Sequence, residues 1–316
     1  MYVFSRRAAL AAWVALAAAP ALAGVVELDQ TCAVEDGCFP GDAPGFPIQI
    51  AEPGSYRLTG NLEVPDENTT AIEITAHDVS LDLAGWTIVG VNTCAGYPTV
   101  CDRSGAGKGV DGAGSQGAWV HDGSVHGMGS FGIHLGRGAL VTDVRAWHNG
   151  GSGLRLADHA VASRCLTQRN DGAGIRTDRH SSVSESQAHG SVGDGVSSFD
   201  GSSLSGLVVS QSGRGAFASG SVVAASVATE NLHTGITARR GALVRSVASR
   251  NGVSGFGDNG ASSALAELTA WSNGSFGLQL GDSGVGGANV SANGSAATTG
   301  GLDLGGNLCD GSTSCP

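Results

Sequence analysis

Basic residues are scarce in this sequence, and lysine is almost missing. Lys and Arg number 17 against 28 Asp and Glu, which gives a net charge of −11, and the single lysine is Lys108. A negatively charged chain is a poor ligand for the phosphate backbone of nucleic acids, so we expect no nucleic-acid partner. Any cationic site must instead be built mainly from arginine, whose planar guanidinium favours the recognition of carboxylates.

Long apolar runs are also missing. No stretch approaches the ~20 apolar residues that a membrane span requires, so we expect no membrane span. At the start of the chain, Arg6 and Arg7 precede a short alanine-rich apolar run, and Ala23 ends a small-residue motif. This layout predicts a cleavable signal peptide over residues 1–23 and a secreted, periplasmic or extracellular protein. Both the Sec and the twin-arginine export routes fit the basic pair.

What the sequence does contain is a repeat. A glycine followed by an apolar residue recurs roughly every 21 residues, a period typical of a solenoid whose units bury their apolar faces against their neighbours. The glycines are Gly132, Gly153, Gly174, Gly195, Gly215, Gly235, Gly255, Gly277 and Gly301. Repeated helix formers are absent, which excludes leucine-rich and ankyrin-type arrays. A β-propeller is the alternative, although its blades usually need about 40 residues or more.

Three columns of the repeat predict the interior. The residues that follow the glycines form one inward column: Ile133, Leu154, Ile175, Val196, Ala216, Ile236, Phe256, Leu278 and Leu302, with Leu304 beyond the last of them. A second inward column reads Val144, Cys165, Ser186, Val208, Val227, Val247 and Leu268. A polar column four residues before each glycine reads Asn149, Asn170, Ser191, Gln211, Asn231, Asn251 and Asn273. Asparagine side chains at one fixed turn are expected to bond from rung to rung as a ladder.

The chain resembles a known family over nearly the whole predicted mature chain, including the rungs with an Asn-x-x-x-Gly-Ile-type motif. Segments 54–62, 71–74 and 79–83, together with the run from Gly123 to Gly129, are similar to bacterial secreted right-handed β-helix repeat proteins. The resemblance implies an all-β, right-handed single-stranded parallel β-helix of the pectate-lyase-like superfold. It implies no particular reaction, because that superfold hosts many activities.

The domain boundaries follow from the repeat. We predict a capping segment over residues 24–60, a parallel β-helix over 61–308 and a tail over 309–316. A glycine-rich insertion, 92–108, leaves the solenoid wall and carries Lys108. As solenoid insertions often supply a binding surface, this loop is a candidate wall of a groove.

Seven cysteines divide into three close pairs and one remainder. We expect disulfides Cys32–Cys38, Cys94–Cys101 and Cys309–Cys315, as in proteins of oxidising compartments. Cys165 is left over. Its apolar column neighbours predict a buried, unreactive thiol and argue against a nucleophile.

The densest cluster of ionisable groups marks the candidate ligand-binding site. His134, Arg155 and Arg176 follow successive repeat glycines by two residues, so we expect them to stack outside one sheet. The cluster is completed by Asp158, Asp178, His159 and His180. Either a uronate carboxylate bridges the two arginines, or the cluster is a solvated wall that neutralises its own charges.

Family motifs for catalysis are missing. The sequence contains neither the adjacent aspartates of polygalacturonases nor the calcium-binding aspartates of pectate lyases, so no catalytic residue can be assigned. We expect no cofactor and no metal. The favoured hypothesis is a non-catalytic module that binds an acidic polysaccharide or a cell surface, or is structural. The alternative is a divergent carbohydrate-active enzyme, a lyase or glycoside hydrolase, that acts on an acidic polysaccharide.

Overall fold

The computed structural model describes residues 24–102 and 104–310. These residues form an all-β, right-handed parallel β-solenoid of about 12 turns with rungs about 21 residues apart, which confirms the predicted fold class. The predicted signal peptide, 1–23, lies outside the described residues. Within those residues, the structure contains no helix that is long and apolar enough to cross a membrane.

Each rung contributes strands to three faces. Face 1 is the outer surface of a 12-stranded sheet. Its strands are Ile48–Ile50, Ile72–Ile74, Val110–Gly112, Ile133–Leu135, Leu154–Leu156, Ile175–Arg179, Asp194–Phe199, Arg214–Ser219, Ile236–Arg239, Phe256–Gly257, Phe276–Gln279 and Ala296–Thr299.

Faces 2 and 3 belong to one bent 23-stranded sheet. Face 2 contains Val26–Leu28, Gly54–Leu58, Val79–Asp82, Trp119–His126, Leu140–Trp147, Val161–Ser163, Ser182–Ser184, Ser203–Ser205, Val222–Ala224, Ala242–Val244, Ala264–Ala266, Gly284–Gly286 and Leu302–Asp303. Face 3 contains Leu62–Glu63, Thr87–Val89, the second halves of Trp119–His126 and Leu140–Trp147, Leu166–Gln168, Gln187–His189, Val208–Ser210, Val227–Thr229, Val247–Ser249, Thr269–Trp271, Asn289–Ser291 and Leu308–Cys309.

The first predicted inward column is confirmed through Leu278. Ile133 pairs with Leu154 and Leu154 with Ile175 in parallel register, and all three side chains are completely buried. Alternation along each short strand turns every second residue into the interior, where equivalent residues of successive rungs stack.

The asparagine ladder is also present. Nδ2 of Asn231 donates to Oδ1 of Asn251 at 2.9 Å, and Nδ2 of Asn251 donates to Oδ1 of Asn273 at 3.0 Å. The same oxygens accept backbone N–H groups, as when the Asn231 amide donates to Asn251 at 3.1 Å. Each buried amide is therefore bonded on both sides, as buried polar groups require.

The second inward column is wrong by one residue at Val208, Val227 and Val247, whereas Val144, Cys165, Ser186 and Leu268 are buried as predicted. Val208 is 44% exposed, whereas Leu207 is buried. The column continues through Ser226 and Ser246, and the hydroxyl of Ser226 accepts the Leu207 amide at 3.3 Å. Since alternate residues of a strand face opposite sides, this shift places Val208, Val227 and Val247 outside. For the same reason Ser212 replaces Gln211 in the polar column.

The predicted last rung at Gly301 is wrong as well. In the 12-stranded sheet Leu278 pairs with Thr298, so Ala297 takes the glycine position of this rung. Leu302 instead pairs with Gly284 on face 2, and Leu302 and Leu304 are 64% and 65% exposed.

Two local disulfides form as predicted. Cys32–Cys38 closes the loop that follows the first strand, with a Cα–Cα distance of 4.6 Å, and the short π-helix Cys32–Asp36 lies in this loop. Cys94–Cys101 joins the antiparallel strands Cys94–Ala95 and Val100–Cys101 of the insertion. The third predicted pair includes Cys315, which lies outside the described residues.

The corrected register can be tested at two adjacent valines. Val209→Asp puts a lone charge into the dry interior and should lower the free energy of unfolding by several kcal/mol, roughly 3 or more. Val208→Asp places the same charge in solvent and should change it by less than about 1 kcal/mol. Urea denaturation followed by circular dichroism measures both. Equal destabilisation by the two variants would contradict the register.

Candidate functional site

Outward side chains of face 1 form a line of ionisable groups across successive rungs. The register pairs Glu73 with Asp111, Asp111 with His134, His134 with Arg155, and Arg155 with Arg176. Because parallel strands lie about 4.8 Å apart, these five groups lie close together although they are distant in sequence.

Asp111 is held between two basic groups. Nζ of Lys108 donates to Oδ2 of Asp111 at 2.5 Å, and Nδ1 of His134 lies 3.2 Å from Oδ1 of the same carboxylate. Partial burial opposes the ionisation of Asp111, but the contacts with His134 and Lys108 outweigh it and lower the pKa of Asp111 to about 2. The carboxylate therefore stays charged at neutral pH, with a hydrogen bond from Lys108 and the His134 ring close by.

The two predicted arginines have different partners. Nη2 of Arg155 donates to Oδ2 of Asp178 at 3.0 Å, and Nη1 donates to the carbonyl oxygen of Leu156 at 3.0 Å. The guanidinium of Arg176 lies 5.4 Å from the ring centre of Phe199, and no ion pair of Arg176 occurs within the described residues. Repulsion between the arginines is thus offset by the protein's own carboxylate, Asp178, on the Arg155 side.

The remaining predicted residues border this line at the turns. Oδ1 of Asp158 accepts the backbone amide of Arg179 at 2.9 Å, so it is occupied in supporting the turn. The rings of His159 and His180 stack at 5.1 Å. Asp158 and Asp178, with residues that include Phe199, line an open depression of about 290 Å³.

The structure thus brings His134, Arg155, Arg176 and Asp178 together and places Asp158, His159 and His180 at the edge. The prediction missed Asp111 and named Lys108 only as part of the candidate groove wall. Asp111 follows Gly109 by two residues, just as His134 follows Gly132, so the repeat contained the signal. The insertion before Gly109 interrupts the period and hides it.

The insertion runs along the turns rather than projecting into solvent. The hydroxyl of Thr99 donates to the carbonyl oxygen of Gly190 at 2.5 Å, and the Tyr97 hydroxyl donates to that of Glu230 at 2.7 Å. Desolvation, with a smaller contribution from the Glu230 carboxylate, raises the pKa of Tyr97, which keeps the hydroxyl protonated as a donor. The insertion therefore spans several rungs and ends at Lys108, beside Asp111.

Cys165 lies far from this line, inside the solenoid. It is buried, and burial raises the pKa of its thiol to about 12. Its Sγ lies 3.4 Å from the carbonyl oxygen of Ser163. A thiol that stays protonated and inaccessible cannot act as a nucleophile at neutral pH.

Comparisons with known proteins agree with this geometry. The family model described as the right-handed β-helix region matches residues 68–212. A mutant of the periplasmic alginate epimerase AlgG is similar in structure, with a TM-score of 0.65 at 15% identity over 82% of this chain and 76% of that chain. The A-module of the Azotobacter vinelandii mannuronan C-5 epimerase AlgE4 gives a TM-score of 0.56 at 12% identity over 79% and 86%. The A-module of the mannuronan C-5 epimerase AlgE6 from the same organism gives a TM-score of 0.53 at 14% identity, over 88% of this chain and 93% of that chain.

No curated protein matches the chain in sequence. The chain folds as a right-handed β-helix, and it shares this fold with alginate epimerases. At identities this low, the similarity shows the fold alone.

The burial of Cys165 predicts its reactivity. A thiol reagent should not label the native protein at neutral pH, because the thiol is neither exposed nor ionised. After denaturation without a reductant, Cys165 should be labelled. Mass spectrometry of the labelled peptides identifies the site, and rapid labelling of native Cys165 would contradict its placement.

Proposed function

We propose that face 1 binds an acidic polysaccharide made of uronate units. The observation that supports this proposal is the in-register line of His134, Arg155 and Arg176. Equivalent residues recur about every 4.8 Å along the solenoid axis, which is comparable to the spacing of charged groups along an extended acidic polymer. One basic side chain can therefore meet each successive carboxylate.

Arg176 is the residue that we expect to contribute most to binding the polysaccharide. It is exposed, it makes no ion pair within the described residues, and the Phe199 ring lies beside it. An arginine next to an aromatic ring suits a uronate, since the guanidinium bonds the carboxylate and the ring packs against the apolar face of the sugar.

The balance of charge along the line makes this binding weak. Asp178 offsets the charge of Arg155, and Asp111 offsets that of Lys108. Affinity should therefore depend strongly on salt, because the contact with Arg176 is exposed to solvent and is screened by ions. The similar solved structures are named as alginate and mannuronan epimerases, which act on acidic polysaccharides, and this supports the ligand class.

Catalysis at the same place is the second candidate, and the contact between Asp111 and His134 favours it. A carboxylate that orients an imidazole is a common arrangement of a general base. The carbon that bears a uronate carboxylate carries an acidic hydrogen. His134 would remove this proton, and Lys108 and Arg155 would stabilise the charge that moves into the carboxylate. Proton return gives an epimer, and loss of the neighbouring oxygen substituent gives an unsaturated lyase product.

We place the protein outside the cytoplasm. Two disulfides in a chain of this size are typical of the periplasm or the extracellular space. The predicted signal peptide agrees with this location, where acidic polysaccharides are accessible.

A single substitution tests the binding proposal. Arg176→Gln removes the unpaired cation without leaving a carboxylate alone, and it should weaken the binding of alginate or polygalacturonate oligomers about tenfold. Arg145→Gln is the matched control, since Arg145 lies 5.6 Å from the Trp147 ring on face 3. Calorimetry at low salt measures both. If the parent binds neither oligomer, or if both variants bind like the parent, face 1 is only a solvated wall.

Product analysis separates binding from catalysis. Alginate and polygalacturonate are incubated with the parent and with His134→Gln, and the products are examined by proton NMR for epimers and by ultraviolet absorbance for unsaturated ends. If the protein is an enzyme, the parent should form product. The His134→Gln variant should still bind the polysaccharide but form no product. If the parent binds these polysaccharides but forms no product, the non-catalytic binding module is the function that the result supports.

A further inference from the structure

A second cluster lies on face 2, away from the polysaccharide line. The register pairs Asp82 with His121 on neighbouring strands, and Asp122 follows His121 at the bend. One ligand atom from each of these three residues lies within 4.8 Å of the other two. Because the strand pairing, not the local sequence, creates this cluster, no sequence motif signals it.

We propose that Asp82, His121 and Asp122 bind a divalent transition-metal ion of the Zn²⁺ or Co²⁺ type. Nδ1 of His121 lies 2.8 Å from Oδ2 of Asp122 and 3.7 Å from Oδ1 of Asp82. In a tetrahedral zinc site with bonds of about 2.0–2.2 Å, ligand atoms are separated by about 3.4 Å. The two measured distances bracket this value, so small side-chain rotations would complete the site.

The donor set selects the class of metal. Imidazole nitrogen with carboxylate oxygen suits zinc, cobalt and related ions, whereas calcium and magnesium prefer oxygen ligands alone. Protein ligands number three here, which leaves at least one position for water or an added ligand. An open depression of about 450 Å³ lies beside Asp122 and provides the space.

Neighbouring side chains hold the ligands in place. The Trp119 ring packs on the His121 ring at 4.1 Å, and Trp119 is itself fixed by a 3.2 Å hydrogen bond to Thr142. Nε of Arg57 donates to Oδ2 of Asp82 at 3.1 Å, and the backbone amide of Ala84 donates to Oδ1 at 2.7 Å. These two bonds hold Oδ1 at 3.7 Å from Nδ1 of His121. The His121 side chain is only 12% exposed, so its orientation is determined by packing. Such outer contacts are what keep metal ligands oriented.

The imidazole of His121 makes a direct hydrogen bond to only one of the two carboxylates. The imidazole Nδ1 carries a single hydrogen, and at 2.8 Å that hydrogen serves Asp122. The Asp82 oxygen at 3.7 Å is too distant for a hydrogen bond to the same nitrogen. A divalent cation between these atoms would contact both carboxylates and the imidazole at once. This proposal departs from our expectation of no metal.

Metal titration of the full chain tests the proposal. After chelator treatment, Co²⁺ is added at neutral pH and its visible absorption is followed, and Zn²⁺ binding is measured by calorimetry. We expect one saturable site, Co²⁺ absorption typical of four or five ligands, and displacement of Co²⁺ by Zn²⁺. His121→Gln should weaken binding by more than about 100-fold, since losing a direct ligand should cost more than losing an outer one.

A neighbouring carboxylate supplies the control. Asp143 lies close to the cluster but forms a bidentate pair with Arg164 at 2.6 and 2.8 Å, so Asp143→Asn should keep the parent affinity. Circular dichroism checks that each variant is folded. The absence of saturable binding, or parent-like affinity in folded His121→Gln, would overturn the proposal. Metal binding does not depend on the polysaccharide line, so either result leaves that proposal to its own test.

Discussion

The contact between the repeat glycines and the asparagine ladder is the constraint on which this solenoid depends. A Cβ added at Gly153 would lie 2.8 Å from Nδ2 of Asn170 and 2.8 Å from the carbonyl oxygen of Gly174, distances that real Cβ atoms do not show. Only glycine lets the buried amide approach, and the amide in turn bonds to the next rung. Each hydrogen bond stabilises the fold by about 1 kcal/mol, but a buried amide left without its partner costs about 1–3 kcal/mol. Rung length and register are thereby fixed together.

This coupling explains how much of the fold the sequence could predict. Glycine, the apolar residue after it and asparagine recur together, so the period, the parallel sheet and the ladder were predictable. The second inward column was predictable only in part. Leu207, Val208 and Val209 show no alternation, so hydrophobicity does not tell which face each takes. Further along, serine is inside and valine outside: the buried Ser226 hydroxyl bonds to the carbonyl oxygen of Ala224 at 2.8 Å, which removes the cost of burying it.

The candidate site was predictable only in part, for a related reason. Residues at the same offset from the glycine share a line, which placed His134, Arg155 and Arg176 correctly. This reasoning does not predict ion pairs between residues that lie at different distances from the repeat glycine. Asp178 bonds to Arg155 of the preceding rung, so one predicted charge neutralises another. The insertion before Gly109 breaks the count and conceals Asp111 from the same reading.

The inner columns carry the stability of the solenoid, so the outer positions are free to differ. A change on an outer face costs little, because a surface ion pair such as Arg164 with Asp143 adds little to stability. A shared fold at identities of 12% to 15% is therefore expected, and it says little about the reaction. Asp111 is an exception among the outer positions. Asp111 is half-buried and keeps a pKa of about 2 only through the contacts with His134 and Lys108, which outweigh its desolvation. Because this carboxylate ionises more readily in the folded chain than in the unfolded chain, these contacts stabilise the fold at neutral pH and also determine the charge pattern of face 1.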